Sequence, residues 1–251
     1  MTTAVGLSLP TRARVTRPGI VATLPAEARA LARLRLRGRA LLAGGGQVAL
    51  SGLGAARAEA TARMLVAEGV NGLISWGSAA GLVPALAPGD LLLPHVVRGR
   101  DGVRYECSPD WLLEIAHASE GLRVRHGLLA ESPGALIDLG AKHALQHASD
   151  AVASDMESVA IARVAADFDL PFIAIRAVAD DATMILPPVI HAALDEDGAL
   201  RPLPLLRALA GRPRSMHAQL RALKQLAVAF RAAQNSLARV APYLRDAGLP
   251  D

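Results

Sequence analysis

Three kinds of side chain are scarce in this chain of 251 residues: one cysteine, two lysines and seven aromatic residues. With Cys107 alone, no disulfide can close within the chain, which fits an inert thiol in a reducing compartment. Only Lys142 and Lys224 among the 27 basic residues are lysines, so the high isoelectric point reflects arginine usage, and the formal net charge is only +4. No dense basic run with interleaved aromatics occurs, which excludes an ordinary nucleic-acid-binding surface. There is no G-x-S-x-G elbow, no H-E-x-x-H and no Walker loop. Arg12, Arg14 and Arg17 are not followed by an apolar run of signal-peptide type. Gly69 to Gly89 carries no charge, but its glycines together with Pro84 and Pro88 read as strand, loop and turn rather than as a membrane span. A cytoplasmic location is expected.

What is present is a sequence 52% hydrophobic, in which short apolar runs alternate with helical patterns. That alternation predicts an α/β sheet. Strands are expected at 20–22, 48–51, 72–75, 91–93, 125–129, 151–153 and 172–175. Helices are expected to start near Pro25, Ala55, Pro109, Asp155 and Ser215. The pattern predicts a loose tail over 1–18 and a single domain over 19–251. Leu220, Leu223, Ala227, Phe230, Leu237 and Val240 form the apolar stripe of the last helix. That stripe packs on the sheet or, alternatively, meets a membrane surface. Residues 183–213 are apolar and proline-rich, and read either as a flap over an apolar ligand or as a surface excursion.

Several residues can carry chemistry, and each has a plain structural reading beside it. Ser154-x-x-Glu157 matches a helix capping box. Glu157 could instead accept two hydrogen bonds from a sugar cis-diol, since an ionised carboxylate offers two acceptor oxygens. Asp180-Asp181 follows an apolar strand, at the strand end where open α/β sheets bind ligands. One of these acids could protonate a departing purine if burial raised its pKa; spacing does not say which. Ser51-Gly52-Leu53-Gly54 and Gly77-Ser78-Ala79-Ala80-Gly81 read as turns whose backbone could approach an anion. Arg57 stands where a dinucleotide fingerprint needs its third glycine, so a nicotinamide site is excluded. Glu27 falls in the first turn of a predicted helix, where the dipole favours a carboxylate whatever its role. His143 and His147 could share a helix face, but no third metal ligand accompanies them.

Taken together these segments resemble the purine nucleoside phosphorylase and nucleosidase superfamily, in the branch with methylthioadenosine/S-adenosylhomocysteine nucleosidase. The resemblance rests on Gly19 to Glu27, Ser51 to Gly54, Ser75 to Leu82, and Asp155-Met156-Glu157-Ser158 followed by Arg176 to Asp180, in order and at suitable spacing. It implies a three-layer α/β sandwich with a mixed central sheet flanked by helices. It implies that Glu157 binds the ribose 2′ and 3′ hydroxyls, that Met156 packs on the sugar, and that Asp180 assists departure of adenine. It also implies that Ser78, Gly77, Gly52 and Gly54 hold phosphate or the sugar, with Glu27 matching the residue that activates water in the hydrolytic branch. Ala179, Ala80 and Trp76 depart from the family pattern.

The C-terminal third, with Leu186-Pro187-Pro188, Asp197-Gly198 and Arg201-Pro202-Leu203, resembles the hopanoid-associated phosphorylase subgroup. That likeness implies cleavage of adenosylhopane, an adenosine whose 5′ carbon bears a triterpenoid, with release of adenine. The subgroup's name favours phosphorolysis with inorganic phosphate as co-substrate; Glu27 favours hydrolysis. No metal or organic cofactor is implied. The expected partners are a small nucleoside with an apolar 5′ group and further copies of the chain, with no nucleic acid. Rival readings are a hydrolytic nucleosidase for small substrates and a nucleoside-binding protein without catalysis.

Overall fold

The computed structural model describes residues 15–34, 38–187 and 216–246. Its centre is β4 (Gly72–Gly81), a strand long enough to serve several neighbours. The first half of β4 lies parallel to β1 (Pro18–Ala22) on one side and to β11 (Phe172–Asp180) on the other. Its last residues pair antiparallel with β10 (Ala153–Asp155). β3 (Gln47–Leu50) runs parallel to β1, and β2 (Arg39–Leu41) closes that edge antiparallel.

Beyond β10 the sheet continues through β9 (Leu128–Glu131), β6 (Val96–Arg98) and β7 (Arg104–Glu106). β5 (Leu91–Leu92) pairs with β11, and β8 (Val124–Arg125) pairs with β5. The sheet is therefore mixed. Every residue of β1, β3 and β11 is buried, which matches strands covered on both faces.

Helices cover the sheet. α2 (Ala55–Ala67) packs on α5 (Ser158–Asp167) and on β1, while α6 (Met216–Asp246) lies along β11 and meets α3 (Pro109–Ala118). The short α1 (Pro25–Ala28) has proline in its first turn, where the missing N–H costs no bond. α4 (Leu139–Ser149) is capped by Asp138, whose side chain accepts from the Ala141 amide at 2.8 Å. This is the α/β architecture with a mixed sheet flanked by helices that the sequence implies.

Four expectations change. The helix expected at Asp155 begins at Ser158, because Ser154 and Asp155 belong to β10. Gly77 to Gly81, read as a loop, is the second half of β4; its small residues are extended because β11 pairs alongside them. The run 125–129 divides into β8 and β9 around Gly127. Residues before 19 also pack on the domain: Val15 is buried, and the amides of Thr16 and Arg17 donate to the Asn71 side chain.

The stripe of α6 is turned to the sheet at Leu237 and Val240, both buried, whereas its Leu220 and Ala227 are exposed. No helix among the described residues is long and apolar enough to cross a membrane. Of the 183–213 segment only 183–187 is described. The motifs at 188, 197–198 and 201–203 lie outside the described residues.

Candidate active site

A cavity of about 160 Å³ opens where β4, β10 and β11 meet. Glu27, Ser78, Ser154, Asp155, Met156, Glu157, Arg176 and Asp180 line it. Leu53, Leu136 and Leu186 supply apolar walls, and no aromatic residue is among the lining residues. Side chains more than 100 residues apart in sequence thus share one chamber.

At one end the carboxylates crowd together. Glu27 sits at the third position of α1, and its carboxylate accepts the Leu24 amide at 3.0 Å. Its other oxygen accepts the Ser78 amide at 2.9 Å and the Ser78 hydroxyl at 2.6 Å. The buried Trp76 ring donates to the Glu27 carbonyl at 2.9 Å, so this departure from the family pattern braces α1. Burial pushes the Glu27 carboxyl above its ordinary pKa, with Ser78 and the Arg176 charge pulling the other way.

Glu157 is the residue before α5 and caps nothing with its side chain. The capping-box reading fails because α5 starts three residues later than a Ser154 cap would require. The Asp155 side chain accepts the Ser158 amide at 3.1 Å. The Glu157 carboxylate instead accepts the Gly54 amide at 2.8 Å. Burial and then the neighbouring Asp155 charge push the Glu157 pKa up to about 7, against Arg176 and the Gly54 amide. The Ser154 hydroxyl is buried, lines the cavity and has no hydrogen-bond partner among the described residues, which leaves it available to a ligand.

Arg176 is the cation of this end. The sequence reading quoted it within a motif but assigned it no role. It is about 1% exposed, and its Nε lies 2.6 Å from Asp155 Oδ2. Its remaining donors reach the Ser75 hydroxyl at 2.5 Å and the Ser158 hydroxyl at 3.0 Å. A buried pair satisfied in this way holds geometry more than it adds stability. Gly77 makes room for it: a Cβ there would lie 2.7 Å from Arg176 Nη1 and 2.8 Å from Glu27 Oε2.

The opposite end carries Asp180. Its carboxylate is 2.5 Å from Lys142 Nζ, which also donates to the Asp181 carbonyl at 2.5 Å. Burial raises the Asp180 pKa, and the Lys142 charge opposes the rise. Asp181 turns away, accepting the Thr183 amide and hydroxyl at 2.8 and 2.7 Å. The choice between the two acids is therefore structural: Asp180 lines the cavity and Asp181 does not. Lys142 had no role in the sequence reading, and its partner lies 38 residues away.

The four residues expected to hold an anion have different surroundings. Gly54 and Ser78 donate to carboxylates of this chain, and Gly77 backs onto Glu27 and Arg176. Gly52 does not line the cavity. His143 and His147 are exposed on α4. Cys107 is buried, and burial pushes its thiol up to about 12, away from reactivity.

Comparison with known proteins gives a family match for the chain. The model of the phosphorylase superfamily covers residues 19–197. A 5′-methylthioadenosine/S-adenosylhomocysteine nucleosidase of Shewanella sediminis is 31% identical over 156 residues, spanning 54% of this chain and 68% of that protein. The fold is that of the Neisseria meningitidis nucleosidase of the same name, solved in complex with methylthio-immucillin-A. The two align with TM-score 0.67 at 18% identity over 92% of this chain and 99% of that one. Futalosine hydrolase of Helicobacter pylori aligns with TM-score 0.62 at 20% identity, over 90% of this chain and 97% of that one.

Proposed function

The chain belongs to the phosphorylase superfamily, and we propose that it removes adenine from a 5′-substituted adenosine by hydrolysis. The observation that carries this reading is the occupation of the expected anion donors by Glu27 and Glu157. A phosphate placed at those donors would meet the buried carboxyl groups at contact distance, and like charges at contact disfavour one another in a low-dielectric site. Water carries no such penalty. The relatives named as nucleosidases support the same choice.

In this mechanism Glu157 takes the ribose 2′ and 3′ hydroxyls on its carboxylate, with the free Ser154 hydroxyl beside it. Met156 packs against the sugar. As the C1′–N9 bond lengthens, its electron pair moves to the base and positive charge gathers on the sugar. Asp180 protonates the base, and the carboxylates at the sugar end stabilise the oxocarbenium-like charge. Glu27 takes a proton from the water that attacks C1′. Its raised pKa suits this role, since a general base works best near the operating pH. Ser78, donating through its amide and its hydroxyl, keeps that carboxylate aimed.

A finer reading concerns the 5′ group. Leu186 lines the cavity, and Met184, two residues before it, lines an apolar groove with Pro88, Val228, Ala229 and Ala232. Ile185, between Met184 and Leu186, is exposed. These residues favour a large apolar 5′ substituent, as in adenosylhopane, over the small polar tail of adenosylhomocysteine. The test is adenine release, by liquid chromatography, from methylthioadenosine, adenosylhomocysteine and a long-chain 5′-alkyl adenosine. The expected result is release from all three, with the highest kcat/KM for the long-chain compound. Equal or lower kcat/KM for that compound would rule out the apolar preference, and release from none would rule out the cleavage reaction.

A further inference from the structure

Lys142 is fully buried on α4 in a chain that has only one other lysine. Its ammonium reaches Asp180 Oδ2 at 2.5 Å and the Asp181 carbonyl at 2.5 Å. The placement is built into the fold. Asp138 caps α4, the Lys142 amide bonds to the Asp138 carbonyl, and the side chain leaves the first turn of the helix toward the end of β11. Burying an ammonium is costly, and a buried ion pair is often no more stable than the apolar residues that could replace it. Stability alone does not account for it.

We propose that Lys142 is a positioning residue of the leaving-group site, holding the Asp180 carboxyl against the departing base and balancing the charge that Asp180 acquires when it gives up its proton. The inference rests on the cleavage reaction proposed above. When C1′–N9 breaks, the base leaves with the bonding electrons and takes the proton of the Asp180 carboxyl. The carboxylate that remains lies against the Lys142 ammonium until solvent returns a proton. The groups facing the pair are Asp180 itself and Asp181 from β11 and the turn after it. On the helix, His143 is exposed to solvent.

The Lys142 charge draws the Asp180 pKa down against the rise that burial causes, so removing it leaves burial unopposed. The test compares pH profiles of adenine release from methylthioadenosine for the wild-type chain, Lys142→Met and Lys142→Arg. Lys142→Met is expected to lower kcat about tenfold or more, and its alkaline limb moves up by about one pH unit or more. Lys142→Arg keeps the charge, so it is expected to hold the limb at the wild-type position while restoring only part of kcat, because its planar fork does not reproduce the ammonium contact.

A residue that only supports the fold would lower the rate equally at every pH and leave the alkaline limb in place in both variants; that result overturns the proposal. Should Lys142→Met not fold, Lys142→Met/Asp180→Asn leaves neither charge buried. That double variant is expected to be no slower than Asp180→Asn alone, and a multiplied loss overturns the proposal. Wild-type protein that releases no adenine at any pH overturns the cleavage reading and this inference with it. Wild-type release with an unshifted Lys142→Met profile overturns this inference alone.

Discussion

The two ends of the cavity solve the problem of buried charge in opposite ways. At the sugar end Glu27, Asp155 and Glu157 share one arginine, Arg176, and two of the three carboxyl groups are pushed upward in pKa. At the base end one carboxylate, Asp180, has a lysine of its own. The sugar end has more acid than cation, and burial raises Glu27 and Glu157 above the ordinary carboxyl range, which suits a base that must accept a proton from water. At the base end the Lys142 ammonium lies directly on Asp180, so the carboxylate left after a proton is given to the leaving group is balanced in place. One fold thus separates proton acceptor from proton donor by the counter-ions it buries beside each.

The largest effect that separates the ends comes from Glu27→Gln. It is expected to slow hydrolysis about 1,000-fold while leaving substrate affinity nearly unchanged, read as kcat against KM. Retention of more than a tenth of the wild-type kcat would remove Glu27 from its role as base. Next is Arg176→Met, which strands Asp155 as an uncompensated buried charge. It is expected to cost about 3–5 kcal/mol in chemical denaturation; a loss below 1 kcal/mol (roughly the exposed-pair range) would show that the sugar end does not depend on its arginine.

Asp180→Asn strikes the base end and is expected to lower adenine release about 100-fold with the fold intact. Near-wild-type turnover in that variant would remove the proton donor from the account. The smallest effect is on stability. Glu157 titrates at about 7 in the folded chain, above its ordinary value when unfolded. Its contribution is therefore fully present below the unfolded value and is lost as pH rises through about 7. Glu157→Gln keeps the acceptor for the Gly54 amide and removes the charge. Its melting temperature at pH 8 is expected to exceed that of the wild type by a few degrees while KM rises. An unchanged or lower melting temperature would mean that the carboxylate is better accommodated than its burial suggests.

What was legible in the sequence followed from how local each feature is. The strands at 20–22 and 172–175 stand out as apolar runs, and the motif pair at Asp155 to Ser158 and Arg176 to Asp180 marks both ends of one chamber. Ser154-x-x-Glu157 misled because spacing alone cannot distinguish a cap from a strand end. Gly77 to Gly81 misled because small residues read as a turn, whereas strand pairing with β11 extends them. The Lys142–Asp180 pair was not legible at all: nothing near Lys142 in sequence marks it as buried, and only the packing of α4 on the end of β11 joins the two. The same holds for Gly54, whose amide looked ready for a foreign anion and holds Glu157 instead.

The most direct test of the central claim is base release from methylthioadenosine in phosphate-free buffer, followed by addition of inorganic phosphate with the products observed by ³¹P NMR. Hydrolysis predicts full-rate adenine release without phosphate and no sugar 1-phosphate signal after its addition. Release that waits for phosphate, with a sugar 1-phosphate appearing in step with adenine, would contradict the assignment of Glu27 to water and of the Gly54 and Ser78 donors to the protein's own carboxylates.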